Sequence, residues 1–563
     1  MFIKLVQSNT SKHTQVYLVE SYRDNGKIKH RTIKRYGVLQ ELQKDDPNVL
    51  SKLRAEALEL TQEKEDNILS LIVDLNKSND FSTVPLNIGS VYISKLINTL
   101  GLSPLIESLT QKDKFHYDLH DALSFLVMMR ILSPGSKRAA HANKETLYRS
   151  YDLTLDDLYR SLDHFDTHKD AFIKHLDDHM IKHYQRDKTL VYYDVTNYYF
   201  ESNQTSDLRE VGPSKENSKH PIVSMGLFID TNNYPITYDM FKGNTHDSKT
   251  LIPLLSKMKD ELGFDRCIVV ADKGINGGNN IKHILDHNHG YIFASKVRGA
   301  SDKIIKIALD EKDYVAIGKD FKYKKVEFNR KVNHKDEIGK TKSFTVTENT
   351  VIFYSRNYDE KAKHERDKVL EKLSAYIDNP KQLKQKTKQG KFKYLKQVES
   401  NPETGEVINP SLALSIDDDK VQADSVLDGY YLIASSELDL TASEIIEKYR
   451  GLWQIEKSFR IIKSELEGRP IHVSTDEHIK GHFFICFMAL LVSRILEKKL
   501  GGVYSIEAIQ EGLKGMQVME IEQDIFKIAK YSKVQKAIQD LMGGVIDKTY
   551  MKKEKLNKLL KEK

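Results

Sequence analysis

The segment from residue 189 to residue 294 limits the fold of this 563-residue chain more than any other part of the sequence. Short apolar runs alternate there with amphipathic stretches and a polar turn at 231–233, and each change of period marks a change of element. The predicted elements are strand 190–193, a hairpin of strands 222–229 and 236–241, helix 251–262, strand 267–271, helix 281–287 and strand 291–294. The segment therefore predicts an α/β fold built on a mixed sheet.

This order of elements resembles that of a ribonuclease-H-like core, in which the first and fourth strands lie side by side. The first and fourth predicted strands are each followed by an acid, Asp194 and Asp272. An aspartate at a strand end commonly caps a turn or a helix, so neither acid alone indicates a site. Taken together, they would place two carboxylates on neighbouring strands of one sheet.

A predicted helix at 449–463 supplies a third acid. At about 100° per residue, Tyr449, Glu456 and Lys463 fall on one face together with Arg460. The adjacent stripe is apolar and should pack into a core; it consists of Ile455, Phe459, Ile462 and Leu466. A glycine within a helix costs about 1 kcal/mol relative to alanine, so a local break at Gly451 is one alternative.

Three converging carboxylates repel one another, and a divalent cation such as Mg²⁺ or Mn²⁺ relieves that repulsion. Two such ions about 4 Å apart can activate an attacking oxygen and stabilise a leaving oxygen at phosphorus. The tyrosine and the two cations on the helix face would hold flanking phosphates. No nucleotide-binding loop is evident, because Gly339-Lys340-Thr341 has His334 where a glycine is required. The pattern favours phosphoryl transfer on DNA without a nucleotide cofactor.

The residues around the three acids resemble a known signature. The pattern Tyr449-Arg450-x-x-Trp453-x-Ile455-Glu456, followed by Lys463, is similar to the YREK signature of bacterial insertion-sequence DDE transposases. Tyr-Tyr-Asp-Val-Thr and Val-Val-Ala-Asp-Lys-Gly resemble the motifs around that family's first and second acids. The gap of 456 − 272 = 184 positions resembles the members that carry a β-rich insertion before the glutamate.

The resemblance implies roles for these residues. Asp194, Asp272 and Glu456 would be the catalytic, metal-binding acids, and Tyr449 and Lys463 would correspond to the tyrosine and lysine of the signature. The signature's arginine falls on Leu452, so Arg460 or Arg450 would supply the DNA contact instead. By this resemblance the chain is a transposase that binds the inverted-repeat ends of its element and target DNA as a homodimer, then cleaves and joins strands. Whether a hairpin intermediate forms stays open.

The chain as a whole is expected to contain a ribonuclease-H-like core that is interrupted by a β-rich insertion. An N-terminal β hairpin and a helical domain precede the core, and a helical C-terminal tail follows it. The predicted domains are a hairpin unit at 1–45, a helical and DNA-binding domain at 46–188, core segments at 189–298 and 429–500, the insertion at 299–428 and a basic helical region at 501–563.

The insertion contains a run of lysines at 381–396 with no acidic residue among them. Lys386, Lys388, Lys391 and Lys393 belong to this run, with Phe392 and Tyr394 interspersed. One interpretation is a solvated loop, and the other is a loop that follows DNA through cationic and aromatic contacts.

The composition narrows the class of protein. A formal net charge of only +6 means that any polyanion site depends on local clusters of charge. Cys267 and Cys486 stand alone in apolar runs, which argues against a thiolate zinc site or a disulfide framework. The start lacks a signal peptide, and the most apolar helix, 483–492, has about half the length needed to span a bilayer. These features predict a cytoplasmic protein with no membrane association, which would act at the bacterial nucleoid.

Two other functions fit the same sequence. A structure-specific nuclease or resolvase would cut branched nucleic acid without strand transfer, and an assay for joined products distinguishes it. A non-catalytic DNA-binding protein derived from a transposase would show no metal-stimulated nicking. The three intact acids argue against the second alternative.

Overall fold

The chain divides into two compact units, Met1–Ser82 and Thr83–Lys563, in the computed structural model. The structure describes residues 1–7, 13–24, 27–66, 84–111, 116–213, 220–378, 390–397, 414–522, 524–529 and 531–561.

The N-terminal unit is a three-stranded antiparallel sheet followed by two helices. Its elements are β1 (Phe2–Gln7), β2 (Thr14–Asp24), β3 (Lys27–Val38), α1 (Leu39–Asp45) and α2 (Val49–Asp66). Asp24 pairs with Lys27, so β2 and β3 form the predicted hairpin, and β1 adds a strand that the sequence analysis did not predict. Most of β3 is exposed, which leaves its lysines and arginines on the surface.

Helices dominate the chain between the N-terminal unit and the main sheet, as predicted. They follow a two-residue strand, β4 (Leu86–Asn87), and comprise α3 (Gly89–Asn98), α4 (Ser103–Thr110), α5 (Leu119–Leu132), α6 (Lys137–Ala142), α7 (Leu155–Thr167) and α8 (Lys169–Tyr184). Lys137, at the start of α6, is buried, whereas its neighbour Arg138 is exposed.

The main sheet has nine strands. Its first part contains β5 (Leu190–Tyr199), β6 (Ile222–Asp230), β7 (Pro235–Lys242), α9 (Leu251–Leu262), β8 (Ile268–Ala271), α10 (Gly278–Asp286) and β9 (Gly290–Ser295). These strands lie in the order β7-β6-β5-β8-β9, with β5, β8 and β9 parallel and β6 and β7 antiparallel to their neighbours. The predicted adjacency of the first and fourth core strands is therefore confirmed.

The inserted segment extends this sheet. It contains α11 (Asp302–Leu309), β10 (Val315–Ile317), β11 (Phe321–Lys335), β12 (Thr341–Ser355), α12 (Arg356–Asp378), β13 (Leu395–Gln397), β14 (Leu414–Ile416) and α13 (Asp418–Ser425), and β15 (Tyr430–Ser435) follows it. Strand β15 pairs antiparallel with β9, and β12, β11 and β10 continue outward. This pairing satisfies the backbone groups that an exposed β9 edge would leave open.

Three helices follow the sheet: α14 (Ala442–Arg450), α15 (Trp453–Lys463) and α16 (Asp476–Lys499). Helices α14 and α15 pack against the sheet, α14 over β8, β9, β11, β12 and β15 and α15 over β5 and β6. Among the described residues, α16 is long and apolar enough to cross a membrane, but 94% of that stretch is buried inside the fold, as in a core helix.

The C-terminal region contains strands as well as the predicted helices. Its elements are α17 (Ile506–Lys514), β16 (Gln517–Glu522), β17 (Ile525–Ile528), α18 (Lys533–Met542), β18 (Tyr550–Lys552) and α19 (Lys553–Leu560). The three strands form a sheet with β4, in the order β18-β17-β16-β4. Strand β4, the partner of β16, lies more than 400 positions away in the chain, so local sequence patterns did not reveal this pairing.

Candidate active site

The two aspartates occupy equivalent positions on neighbouring strands. Strands β5 and β8 are parallel, and Tyr193 pairs with Ala271. Asp194 and Asp272 each follow this pair by one residue, so their backbones are about one strand spacing, ~4.8 Å, apart. Both side chains are half-buried. Strand β5 continues to Tyr199, so Asp194 lies within the strand and not at its end as predicted.

The predicted helix at 449–463 is divided into α14 and α15 at Gly451. A methyl group on Gly451 would lie 1.9 Å from Oη of Tyr192, so only glycine allows the helix pair to approach β5 this closely. Across the junction, Leu452 N bonds to Tyr449 O and Ile455 N to Leu452 O, which are the i→i+3 bonds of a tighter turn. The break that the sequence left open is therefore present, and its cause is packing against Tyr192.

Contacts at both ends of α15 fix its direction along β5. Gly451 lies on Tyr192, and Nζ of Lys463 is 5.4 Å from the ring centre of Tyr198. Glu456 is then about 7.5 Å along the helix from Gly451 at 1.5 Å per residue. Asp194 is about 6.6 Å along the strand from Tyr192 at 3.3 Å per residue. Glu456 and Asp194 therefore lie at nearly the same level of the two elements.

Tyr449 links the helix pair to the second aspartate. Its hydroxyl donates to Oδ1 of Asp272 across 3.5 Å, a long hydrogen bond. Burial and the negative charge of Asp272 raise the pKa of Tyr449, which keeps the phenol protonated. Tyr449 of α14, and Glu456 and Lys463 of α15, thus lie along the side of the helix pair that adjoins the strands of the two aspartates.

The apolar side of α15 anchors it as the sequence predicted. Ile455, Phe459, Ile462 and Leu466 are all buried, whereas Glu456 and Arg460 are exposed. The amphipathic pattern leaves the carboxylate of Glu456 on the open side of a helix whose backbone is fixed.

Buried cations hold both the middle and the end of α15. Nη2 of Arg494, on α16, donates to Oγ of Ser458 at 2.8 Å, and Arg494 is almost fully buried. Nη1 of Arg130, on α5, donates to the carbonyls of Leu466 and Glu467, both at 3.2 Å. Charged hydrogen bonds to buried partners contribute about 1.5–3 kcal/mol each, so these contacts position the helix firmly.

The acids at this site are ligands of the kind that a divalent cation takes. Carboxylate oxygens are the ligands that hard cations prefer, and the register of Asp194 and Asp272 brings two of them to adjacent positions. Within the described parts of the chain, no three His, Cys, Asp or Glu side chains are already grouped closely enough to hold a metal ion. The strand register is compatible with a site that uses Asp194 and Asp272, and Glu456 lies on the exposed side of α15.

The structure distributes the predicted DNA-contact residues unevenly. The Arg450 guanidinium lies over the ring of Phe321, 5.5 Å from its centre, and Leu452 is buried. An arginine at position 452 would therefore enter the core, which gives a physical reason for the leucine. Lys393 forms an ion pair with Asp424, so its charge is compensated within the protein. Lys386, Lys388 and the side chain of Lys391 lie outside the described residues.

Sequence reasoning missed several residues that position this site. Tyr192 and Tyr198 receive the two ends of α15, and Arg130 and Arg494 hold it from the other side. The period of two along a strand is a signal for the first pair, since residues 192, 194 and 198 share a face of β5. The two arginines carry no such signal, because their apolar helices predict only burial.

Comparison with protein families agrees with this architecture. Residues 185–492, more than half of the chain, match the family model described as "Transposase DDE domain", and the chain belongs to this family. Residues 3–67 match the "IS1634 family transposase, N-terminal domain", which indicates a bacterial insertion-sequence transposase. No curated protein matches the chain. The molecule is therefore a transposase and a nucleic-acid-cleaving enzyme that binds DNA, and DDE transposase domains generally use divalent metal ions.

Proposed function

We propose that Asp194, Asp272 and Glu456 hold Mg²⁺ and catalyse cleavage and strand transfer at the inverted-repeat ends of an insertion sequence. The observation that carries this proposal is the register of β5 and β8, which brings Asp194 and Asp272 to adjacent positions, with Tyr449 contacting Asp272. Mn²⁺ would substitute for Mg²⁺, because both ions prefer carboxylate oxygens.

A divalent metal held by Asp194, Asp272 and Glu456 would supply Lewis-acid activation and charge neutralisation at the scissile phosphate. The chain's own residues position the DNA around it. The Lys463 ammonium and the exposed Arg460 guanidinium bind phosphates that flank the scissile bond. Tyr449 keeps its proton and restrains Asp272, while the guanidinium of Arg450, the next residue, lies over the ring of Phe321.

The proposed reaction has two steps, hydrolysis and transesterification. In the first step a water oxygen bonds to phosphorus, the bond from phosphorus to O3′ breaks, and the leaving O3′ takes up a proton. In the second step that 3′-hydroxyl bonds to a phosphorus of target DNA and displaces another O3′. One phosphodiester bond forms as one breaks, so joining requires no nucleotide cofactor. Because two ends must be brought together, the active complex is a homodimer on DNA.

Purified protein incubated with labelled inverted-repeat DNA and Mg²⁺ tests the proposal. Glu456→Gln should retain end binding but lose cleavage by at least about 1,000-fold, equivalent to about 4 kcal/mol in activation free energy. Glu371→Gln, which removes an exposed carboxylate from α12, is the matched control and should cleave normally.

Mapping the products tests the transfer step. Joined products that depend on Mg²⁺ or Mn²⁺ support a transposase mechanism at these acids. Cleavage by Glu456→Gln at the wild-type rate would refute the assignment of Glu456, and cleavage without any joined product would favour a nuclease.

A further inference from the structure

A second feature lies on the other side of the main sheet. A cavity of about 650 Å³ is bordered by the residues that follow β8 and β9, by β11 and β12, and by the start of α11. Leu432 and Ala434 of β15 line it, while Tyr431 between them points to the opposite face. Tyr431 stacks on Phe353, whose neighbour Phe321 lies under Arg450 of α14. Tyr449 of the same helix contacts Asp272, so Asp272 adjoins the helix-covered face.

Five of the six charged residues that line the cavity are cations. Two of its cations are paired: Arg330 with Glu348, at 2.8 Å, and Arg298 with Asp428. Three lysines remain, and within the part of the chain that the structure describes none of them forms an ion pair; they are Lys273, Lys296 and Lys331. Three cations without an acidic partner around one cavity create a positive local potential, which attracts anions.

The cavity also offers a hydrogen-bond acceptor and apolar surface. Nδ2 of Asn276 donates to the carbonyl of Ala294 at 2.9 Å, whereas its Oδ1 is buried and finds no hydrogen-bond partner among the residues that the structure describes. A buried acceptor without a donor is unfavourable, so a ligand that brings an N–H group would be stabilised there. Phe328 and Ile304 supply apolar walls. Phosphate, an N–H donor and a planar apolar ring are the chemical groups of a nucleotide.

Size and position favour a single strand over a duplex. About 650 Å³ is the size of an ordinary small-molecule pocket, and it cannot contain a double helix whose major groove alone is about 12 Å wide. Lys273 lines the cavity and directly follows Asp272 in the chain, so the cavity is adjacent to the proposed catalytic acid. A strand that leaves the acids around the end of β8 would meet these lysines next.

We propose that this cavity binds a phosphate-bearing nucleotide of the single DNA strand next to the cleavage site, with Lys273, Lys296 and Lys331 on its phosphates and Asn276 on its base. The proposal rests on the proposed cleavage function and adds to it the place that receives the strand.

The salt dependence of DNA binding tests this site. The double variant Lys296→Gln/Lys331→Gln leaves Lys273, beside Asp272, unchanged. The matched control, Lys306→Gln/Lys319→Gln, removes two exposed lysines from the same insertion that do not line the cavity. Two substrates are compared: intact duplex ends, and ends that carry a single-stranded flank at the cleavage position. Thermal unfolding of both variants establishes that each is folded.

For the flanked substrate, the double variant should reduce the slope of log K against log salt by about 1.4, because each single-strand phosphate contact contributes about 0.7. The slope for intact duplex should stay unchanged, and the control should match wild type on both substrates. Equal slopes for the double variant and the control on flanked DNA would overturn the proposal.

A free nucleotide would be the other source of the same chemistry. Equilibrium dialysis with a labelled deoxynucleoside monophosphate distinguishes the two, because binding lost in the double variant without a change in the strand slope would overturn strand binding. Failure of the cleavage function is separate: it would appear as wild-type protein that binds both substrates and cuts neither.

Discussion

The two faces of the nine-stranded sheet differ in the side chains that they place near the ends of β8 and β9. On one face, Asp194 and Asp272 lie beside helices α14 and α15, and their positions follow from strand register. On the other face, Lys296 and Lys331 reach a cavity from exposed, flexible side chains. Strand register fixes the spacing of the two aspartates, as the proposed sharing of a metal ion requires. The lysines of the cavity, in contrast, can reach the phosphates of the proposed DNA strand without a fixed spacing.

The two faces also differ in the contacts that hold their functional side chains in place. Helix α15 is fixed by Tyr192 and Tyr198 below and by Arg130 and Arg494 behind. Around the cavity, the described contacts fix Arg330 and Glu348 in the wall but leave the lysines free of ion pairs. Changes on the acidic face should therefore abolish the reaction, and changes on the cationic face should alter affinity alone.

The sharpest contrast comes from Asp272→Asn. Loss of one carboxylate should reduce cleavage by at least about 1,000-fold, about 4 kcal/mol, while the affinity for end DNA stays close to wild type. A gel assay of Mg²⁺-dependent cleavage and a binding titration measure the two quantities. Asp260→Asn, an exposed aspartate on α9, is the control. Equal losses of binding and cleavage would mean that the two faces do not divide these tasks.

The next effect concerns the junction of the helix pair. Gly451→Ala should lower the free energy of unfolding by about 1–3 kcal/mol and reduce cleavage, because its methyl group would overlap the Tyr192 ring. Gly135→Ala is the control, since its new methyl would make only an ordinary contact 3.6 Å from Ala139.

Combining Gly451→Ala with Tyr192→Leu should recover part of the lost stability in urea unfolding, because the overlapping ring is removed. Additive losses in the double variant would show that the contact between α15 and β5 does not set the position of the helix.

The free energy of unfolding should depend on pH through the buried Lys137. Burial, and then the charge of Arg130, lowers the pKa of Lys137 to about 7, and Lys137 lies 3.4 Å from His482. Other groups facing it titrate outside pH 7–9, since the pKa of His482 is lowered and that of Cys486 is raised.

In the unfolded chain Lys137 keeps its proton up to its ordinary pKa near 10.4, so the unfolded state binds more protons between pH 7 and 9. The unfolding free energy should rise with pH there by up to about 1.4 kcal/mol per unit. Lys137→Met should remove this rise, and Arg138→Met, an exposed neighbour, should not. An unchanged pH slope in Lys137→Met would show that this lysine is solvated.

The smallest effect is expected for Tyr449→Phe. Its hydrogen bond to Asp272 is 3.5 Å long, so its loss should reduce cleavage by less than about 10-fold, without an effect on end binding. A loss as large as that of Asp272→Asn would mean that the phenol takes part directly in the reaction.

Much of the core could be predicted from sequence because it depends on local patterns. Apolar runs gave β8 and β9, and the amphipathic stripe of α15 gave its buried side. The extension of β5 to Tyr199 was missed, since polar residues follow Asp194 while the strand pairs with β6 along its whole length. Alternation within a two-sided buried sheet is weak, so strand ends there are poorly marked.

The other differences depend on distant contacts. Lys137 resembles a surface residue in the sequence, and only the packing of α5, α6 and α16 buries it. The strand pairing of β16 with β4, and the cavity formed by the inserted strands with α11, likewise join segments far apart in the chain. Of the site, the three acids were predicted from spacing and family resemblance, and their supporting residues were not.

Anomalous scattering from Mn²⁺ in crystals of the protein with inverted-repeat DNA tests the central claim most directly. Our account predicts manganese within about 2.0–2.2 Å of carboxylate oxygens of Asp194 and Asp272, with Glu456 turned toward the same ion or a second one. Manganese bound elsewhere, with these three carboxylates free of metal in the DNA complex, would contradict it.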